Sequence, residues 1–261
     1  MRTTTKIAFT IVVIAAIAYV IYMAYSPKSP TNEPRGQTPV LPASTQNGST
    51  TTKVEVVVIK ESATTSPSVN VEYPQFSELP MEFNSMISAA TLDRLAEFRK
   101  NAAENEIARK ATARPGDVLP PAGYSFISTW QPAQVNSRYI SFIIRYDSYT
   151  GGANENQELE TFNYDVKAGR LMGLNDLFAT TTDYLKKISD LARQQLQSSM
   201  GAASDGNAPI AMIEAGTEPV AENFANFTFT DDVVTIYFPK YAVGPGAFGE
   251  QKAGILRSSI K

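Results

Sequence analysis

The 261-residue chain contains no cysteine and no histidine. The first absence excludes disulfides, so the fold must rest on a hydrophobic core alone. The second removes the commonest general base and the commonest metal ligand together, and no metal motif can be assembled. Positive charge is also scarce. Lys and Arg number 23 against 26 Asp and Glu, a net of −3, which gives nucleic-acid binding no electrostatic support. A nucleotide is excluded on other grounds. Gly244, Gly246 and Gly249 spell G-x-G-x-x-G. A dinucleotide site needs a following helix and an acidic residue about 20 positions on, and residues 250–261 supply neither. No metal and no cofactor is expected.

What the chain does have begins with an apolar run. Residues 7–25, IAFTIVVIAAIAYVIYMAY, carry no charge, and as a helix they span about 28 Å, the thickness of a bilayer core. Arg2 and Lys6 precede the run, so the positive-inside bias places residues 1–6 in the cytoplasm and the remainder outside. Cleavage after Ala18 would leave the apolar YVIYMAY on the mature protein, and Ala24-Tyr25-Ser26 is followed by Pro27. The expectation is a retained single-pass anchor in the cell membrane, with the lipid bilayer as its partner. Residues 26–52, rich in Pro, Ser, Thr, Gly, Asn and Gln, read as a disordered linker.

The folded part is expected over residues 53–261. Its clearest stretch is 138–178. Ile140, Phe142, Ile144 and Tyr146 alternate with Ser141, Arg145 and Asp147, the period of a half-buried strand. A Gly151-Gly152 corner follows. Phe162, Tyr164 and Val166 then alternate with Thr161, Asn163 and Asp165, and Ala168-Gly169 suits a hairpin turn with Gly169 at φ > 0. Upstream, two strands are expected near 54–62 and 69–76. A long helix follows from Pro80 with Phe83, Ile87, Leu95, Phe98 and Ala102 on one stripe. A strand over 124–131 then turns through residues 132–135. Downstream, threonines 180–182 offer an N-cap to a helix carrying Leu185, Ile188, Leu191, Ala192 and Leu196. A short helical piece is expected near 210–214, a hairpin over Asp231-Asp232, and a last strand near 252–257. Strands in antiparallel-looking runs with two main amphipathic helices between them give an α+β class, with a subdivision possible near 150–165.

Three pieces in this order resemble one family. They are Tyr149-Thr150-Gly151-Gly152-Ala153, Asn163-Tyr164-Asp165-Val166-Lys167-Ala168-Gly169 running on to Leu174-Asn175-Asp176-Leu177-Phe178, and Phe229-Thr230-Asp231-Asp232-Val233-Val234 through Tyr237-Phe238-Pro239-Lys240-Tyr241. Together they are similar to the extracytoplasmic domain of unknown function shared by the anti-sigma factor RsiV and the peptidoglycan deacetylase PdaC, over residues 53–261. Family members usually carry His where this chain has Asn154. The resemblance implies an envelope-facing domain that binds something, RsiV-like members recognising lysozyme. It does not imply deacetylation, which in PdaC-like proteins belongs to a separate domain with His ligands. No anti-sigma segment is present.

The expected function is a membrane-anchored binding or sensing domain for lysozyme, another protein or a cell-wall glycan. Its candidate residues are Tyr149, Gly151, Gly152, Asn154, Tyr241, Gly244 and Gly246, from two loops that each open with a Tyr. Strand-end loops are where binding residues concentrate. Two rivals stand beside it: a structural envelope protein with no ligand, and a glycan hydrolase using carboxylates among Glu155, Glu158, Glu160 and Asp165. The bland reading of those carboxylates is a charged strand face. N-terminal sequencing of membrane-extracted protein checks the anchor. Met1 or Arg2 is expected as the first residue, and a start near Tyr19 or Pro27 would mean cleavage.

Overall fold

The structure, a computed structural model, describes residues 52–61, 67–114 and 116–260. The expected anchor and linker lie outside them, except for Thr52. Among the described residues no helix is long and apolar enough to cross a membrane. The described residues belong to one compact unit.

A six-stranded sheet runs in chain order: β1 (Val54–Glu61), β2 (Ser68–Phe76), β3 (Ser125–Val135), β4 (Tyr139–Tyr149), β5 (Asn156–Asp165) and β6 (Arg170–Leu171). A second sheet holds β7 (Phe227–Phe229), β8 (Val233–Phe238) and β9 (Gln251–Leu256). Four helices accompany them: α1 (Met81–Ala111), α2 (Leu174–Leu177), α3 (Tyr184–Ala202) and α4 (Ile210–Gly216). The α+β class stands, with one correction. The sheets are not wholly antiparallel, because β2 pairs with β3 in parallel. Such a pair needs a crossover, and α1 supplies it. Two short helices accompany the two long ones, one of them at the piece expected near 210–214.

Alternation decides which residues meet which layer. Phe142, Ile144 and Tyr146 of β4 and Phe162 and Tyr164 of β5 pack with Phe83, Ile87, Leu95, Phe98 and Ala102 of α1 in one core. Tyr164 stacks on Phe83 at 4.3 Å and Phe142 on Phe162 at 5.0 Å. Past Ala102 the helix stripe ends, and Ile107 is 70% exposed. A second core joins Ile188, Ala192, Leu196 and Met200 of α3 to Val234, Ile236, Phe238, Ala253 and Ile255 of the small sheet. Pro132 does not turn the chain; β3 runs through it to Val135, with a register shift between Pro132 and Gln134. Its missing N–H costs no ladder bond to β2, whose pairing with β3 ends at Ser128. Threonines 180–182 do not cap α3, whose N-cap is Asp183. The Thr181 amide instead donates to the Phe178 carbonyl, closing a turn before the helix.

The family motifs explain the chain's turns. Gly169 takes φ 67°, and the Ala168 amide donates to Asp165 Oδ1 at 2.8 Å. Asp176 accepts from the Gly173 amide at 2.8 Å and pairs with Arg170 at 2.7 Å. The Arg170 guanidinium holds its carboxyl below the usual carboxylate range.

The two sheets meet along a polar seam. β7 pairs on one side with β8, and on the other its backbone groups face side chains of the large sheet. The Phe229 amide donates to Ser141 Oγ at 2.8 Å, and the Phe227 amide to Thr161 Oγ1 at 3.2 Å. Asn163 Nδ2 donates to the Phe227 carbonyl at 2.8 Å, while Ser141 Oγ donates to Asn163 Oδ1 at 2.7 Å. Ser141 and Asn163 are buried. Asn163→Ala orphans the Phe227 carbonyl and the Ser141 hydroxyl, and by about 1–3 kcal/mol per buried group it is expected to destabilise strongly. Urea unfolding should show a lowered midpoint with an unchanged slope.

Candidate functional site

The structure gives the paired carboxylates of β5 a partner in α1. Glu158 and Glu160 both bind Arg94 of α1, at 3.1 and 2.8 Å. That guanidinium lies 4.5 Å from the centre of the buried Tyr146 ring, whose hydroxyl lies 3.3 Å from Thr91 Oγ1. The cluster therefore joins α1 to the large sheet. Glu155 is exposed, and Asp165 caps its turn. Among the described residues no group of three or more acidic side chains is placed to hold a metal ion.

The other face of β4 and β5 is more suggestive. Arg145 reaches across to Glu250, just before β9, in a two-pronged pair with both contacts at 2.8 Å. Its Nη1 donates to Gln131 Oε1 at 3.3 Å, and its guanidinium lies 5.5 Å from the Tyr237 ring centre. Hydrogen bonding to Glu250 raises the Arg145 pKa further above its ordinary value. This pair separates two clefts. One, of about 160 Å³, is lined by Asp147, Gln157, Leu159, Pro239 and Lys240 besides the pair. The other, of about 400 Å³, lies between β3 and the small sheet and includes Pro132, Thr228, Thr235, Tyr237 and Lys252.

The predicted loops grow from the rim of the smaller cleft. Pro239 and Lys240 precede the 241–249 loop and Glu250 follows it, while Asp147 and Gln157 flank the 149–155 corner. The roots of the loops are thus brought together. No hydrogen bond or ion pair among the described residues joins one loop to the other. In the corner, Gly151 and Gly152 take φ 101° and 109°, and Tyr149 is half-buried with its hydroxyl donating to the Gly152 carbonyl at 3.1 Å. The two glycines make the turn and Tyr149 braces it. Asn105 of α1 donates to the Thr150 carbonyl at 2.7 Å, and Asn154 is exposed.

The second loop is built differently. Gly244 is buried, and a Cβ there would sit 2.6 Å from Met200 Cε. Gly246 passes under the Tyr241 ring, where a Cβ would lie 2.5 Å from Cε1. Tyr241 is 61% exposed yet holds φ 75°, a left-handed conformation unfavourable for a bulky residue. The Lys240 ammonium lies 5.5 Å from its ring centre. Sequence reasoning singled out Tyr241 and did not single out Arg145 or Glu250. Only the placement of an arginine on a strand face otherwise given to Ser141 and Ile143 hinted at Arg145. Glu250 lies 105 positions away and carried no signal.

Comparison with known proteins finds two families along the chain. The family described as "Deacetylase PdaC" matches residues 60–157, and "Protein of unknown function (DUF3298)" matches residues 175–258. The chain carries a DUF3298/PdaC-like domain. It is 33% identical over 122 residues to the peptidoglycan-N-acetylmuramic acid deacetylase PdaC of Bacillus subtilis, covering 47% of this chain and 25% of that protein. It is 27% identical over 135 residues to an esterase of Mycobacterium tuberculosis, covering 51% of this chain and 54% of that one. The chain thus spans a quarter and about half of these relatives. DUF3298 proteins of Bacteroides fragilis and Pseudomonas aeruginosa share the fold, with TM-scores of 0.58 and 0.57 at 20% and 14% identity. The matches cover 81% and 80% of this chain and 93% and 92% of theirs.

In the DUF3298/PdaC-like domain, burial pushes the Tyr146 phenol up to about 12, against the opposing pull of Thr91 and Arg94. A phenol unfolds to a pKa near 10. Its contribution to stability is therefore complete below pH 10 and lost as pH rises toward 12, at about 1.4 kcal/mol per unit. Tyr146→Phe is expected to flatten that part of an alkaline unfolding titration.

Proposed function

We propose that this domain is the recognition module of an envelope protein, held at the membrane by residues 7–25, and that it captures a protein or cell-wall glycan ligand around Tyr241. One observation carries the reading. A large aromatic side chain stands exposed on a strained backbone, in a loop fixed from below by Gly244 against Met200 and at its end by Glu250 on Arg145. Strain of about 1–3 kcal/mol persists only where the surroundings impose it, and such outliers cluster at ligand sites. Tyr is a favoured anchor because it brings contact area at low entropic cost. The adjoining clefts offer both charge signs through Lys240, Lys252, Asp147 and Glu250.

The second reading is hydrolysis of an acyl group, favoured by the names of the two curated relatives. With Glu158 and Glu160 held by Arg94 and Glu250 by Arg145, the carboxylate left for it at the smaller cleft is Asp147.

The test uses lysozyme and solubilised peptidoglycan as probes of the purified chain. Tyr241→Ala is expected to weaken capture at least tenfold while leaving the unfolding midpoint unchanged or raised, since truncation leaves the core untouched. Undiminished capture would remove Tyr241 from the site. Release of acetate from O-acetylated or N-acetylated glycan, abolished by Asp147→Asn, would establish the second reading instead.

A further inference from the structure

Each sheet has two edges, and the chain treats one of the four differently from the rest. β6 ends the large sheet with only two residues. β7 is closed by Ser141, Thr161 and Asn163, as described. β9 is closed at its centre by Gln195 of α3, whose amide donates to the Gly254 carbonyl at 2.8 Å and accepts from the Gly254 amide at 3.0 Å. β1 has none of these devices. It pairs with β2 over eight residues without a register shift, and no described residue bonds its outer side. It contains no Pro, and five of its eight residues are Val or Ile. Val56 and Val58 are 45% and 49% exposed. A long edge rich in Val and Ile is a template for another strand, and soluble proteins normally block it.

We propose that β1 pairs with β1 of a second copy, antiparallel and centred on Val57, making one continuous sheet of the two large ones. The strand's own sequence selects this partner and register. A two-fold axis normal to the sheet makes opposite residues share a face, so only registers centred on a residue are allowed. Centring on Val57 places Val56 opposite Val58 twice, which joins the exposed valines, and Lys53 opposite Glu61 at both ends. Although it sets Glu55 against Ile59 and Val54 against Lys60, it opposes no like charges. Centring on Val58 would oppose Glu55 to Glu61 and Val56 to Lys60. Centring on Val56 would set Lys53 against Ile59 and Glu55 against Val57. Like charges directly opposite destabilise a strand pair, whereas apolar pairs and opposite charges stabilise it. Lys53 and Glu61 now pair with Glu55 and Arg99 in exposed bridges, which are weak enough to rearrange.

The absence of cysteine makes the test clean. Full-length chain carrying Val57→Cys as its only thiol is expected to form a disulfide dimer on mild oxidation, because residue 57 faces itself across the axis within the reach of a disulfide. Glu55→Cys should remain monomeric alone and cross-link only when mixed with Ile59→Cys chains. In the Val57→Cys background, Lys53→Glu should lower the cross-linked fraction several-fold, and adding Glu61→Lys should restore it. No Val57→Cys dimer, or equal cross-linking at positions 55 and 57, would overturn the proposal. Failure of the second charge reversal to rescue the first would overturn the register.

Discussion

Two hydroxyls and one amide satisfy the strand edge along which the two sheets meet. The edge of β7 turns two N–H groups and a carbonyl toward the face of the large sheet, where water is excluded. Left alone, each would cost a large part of a hydrogen bond. Ser141, Thr161 and Asn163 meet them, and Ser141 and Asn163 bond each other as well. The rest of the architecture follows from this line. It fixes where the small sheet sits, so that α3 covers its far face and the clefts open beside Arg145. Such a seam is specific as well as stabilising, because a shift of β7 by one residue would break every bond in it.

The same seam shows what could be read from the chain and what could not. Alternation in residues 139–166 named the two faces correctly, and Gly169, Asp231 and Asp232 announced their turns through local chemistry. The motif Asn163-Tyr164-Asp165 was recognisable as a pattern, but its physical content is divided among three directions. Asn163 points to β7, Tyr164 to Phe83 of α1, and Asp165 to its own turn. Only the last is local. The parallel β2–β3 pairing escaped notice because a strand's alternation carries no sign of its partner's direction. Pro132 was mistaken for a turn because proline is excluded from strands only where a ladder bond would be lost, and the β2–β3 pairing has already ended there.

For the candidate site the balance is different. The glycines of both loops were visible, yet they serve unlike ends. Gly151 and Gly152 let the chain reverse, whereas Gly244 and Gly246 allow close approach by Met200 and by the Tyr241 ring. Two tyrosines that looked equivalent also part company: Tyr149 is a brace and Tyr241 is presented to solvent. The carboxylates on β5, suggestive as a pair, are neutralised by one arginine of α1. The charge pair that does border the clefts, Arg145 with Glu250, arises only when the small sheet is laid against the large one.

The crossover through α1 has a consequence for how the chain acquires its structure. β3, β4, β5 and β6 are successive hairpins that can form as soon as they are made. The β1–β2 hairpin is the first part synthesised, but its neighbour in the sheet begins at Ser125, about 50 residues after β2 ends. At roughly 5–20 residues per second of synthesis, that is a wait of several seconds with both sides of a valine-rich hairpin unpaired. Closing so long a loop is slow in any case. The nascent chain is therefore most vulnerable to mispairing at its beginning, and α1, able to form locally within microseconds, is the element that brings the two halves of the sheet within reach of each other.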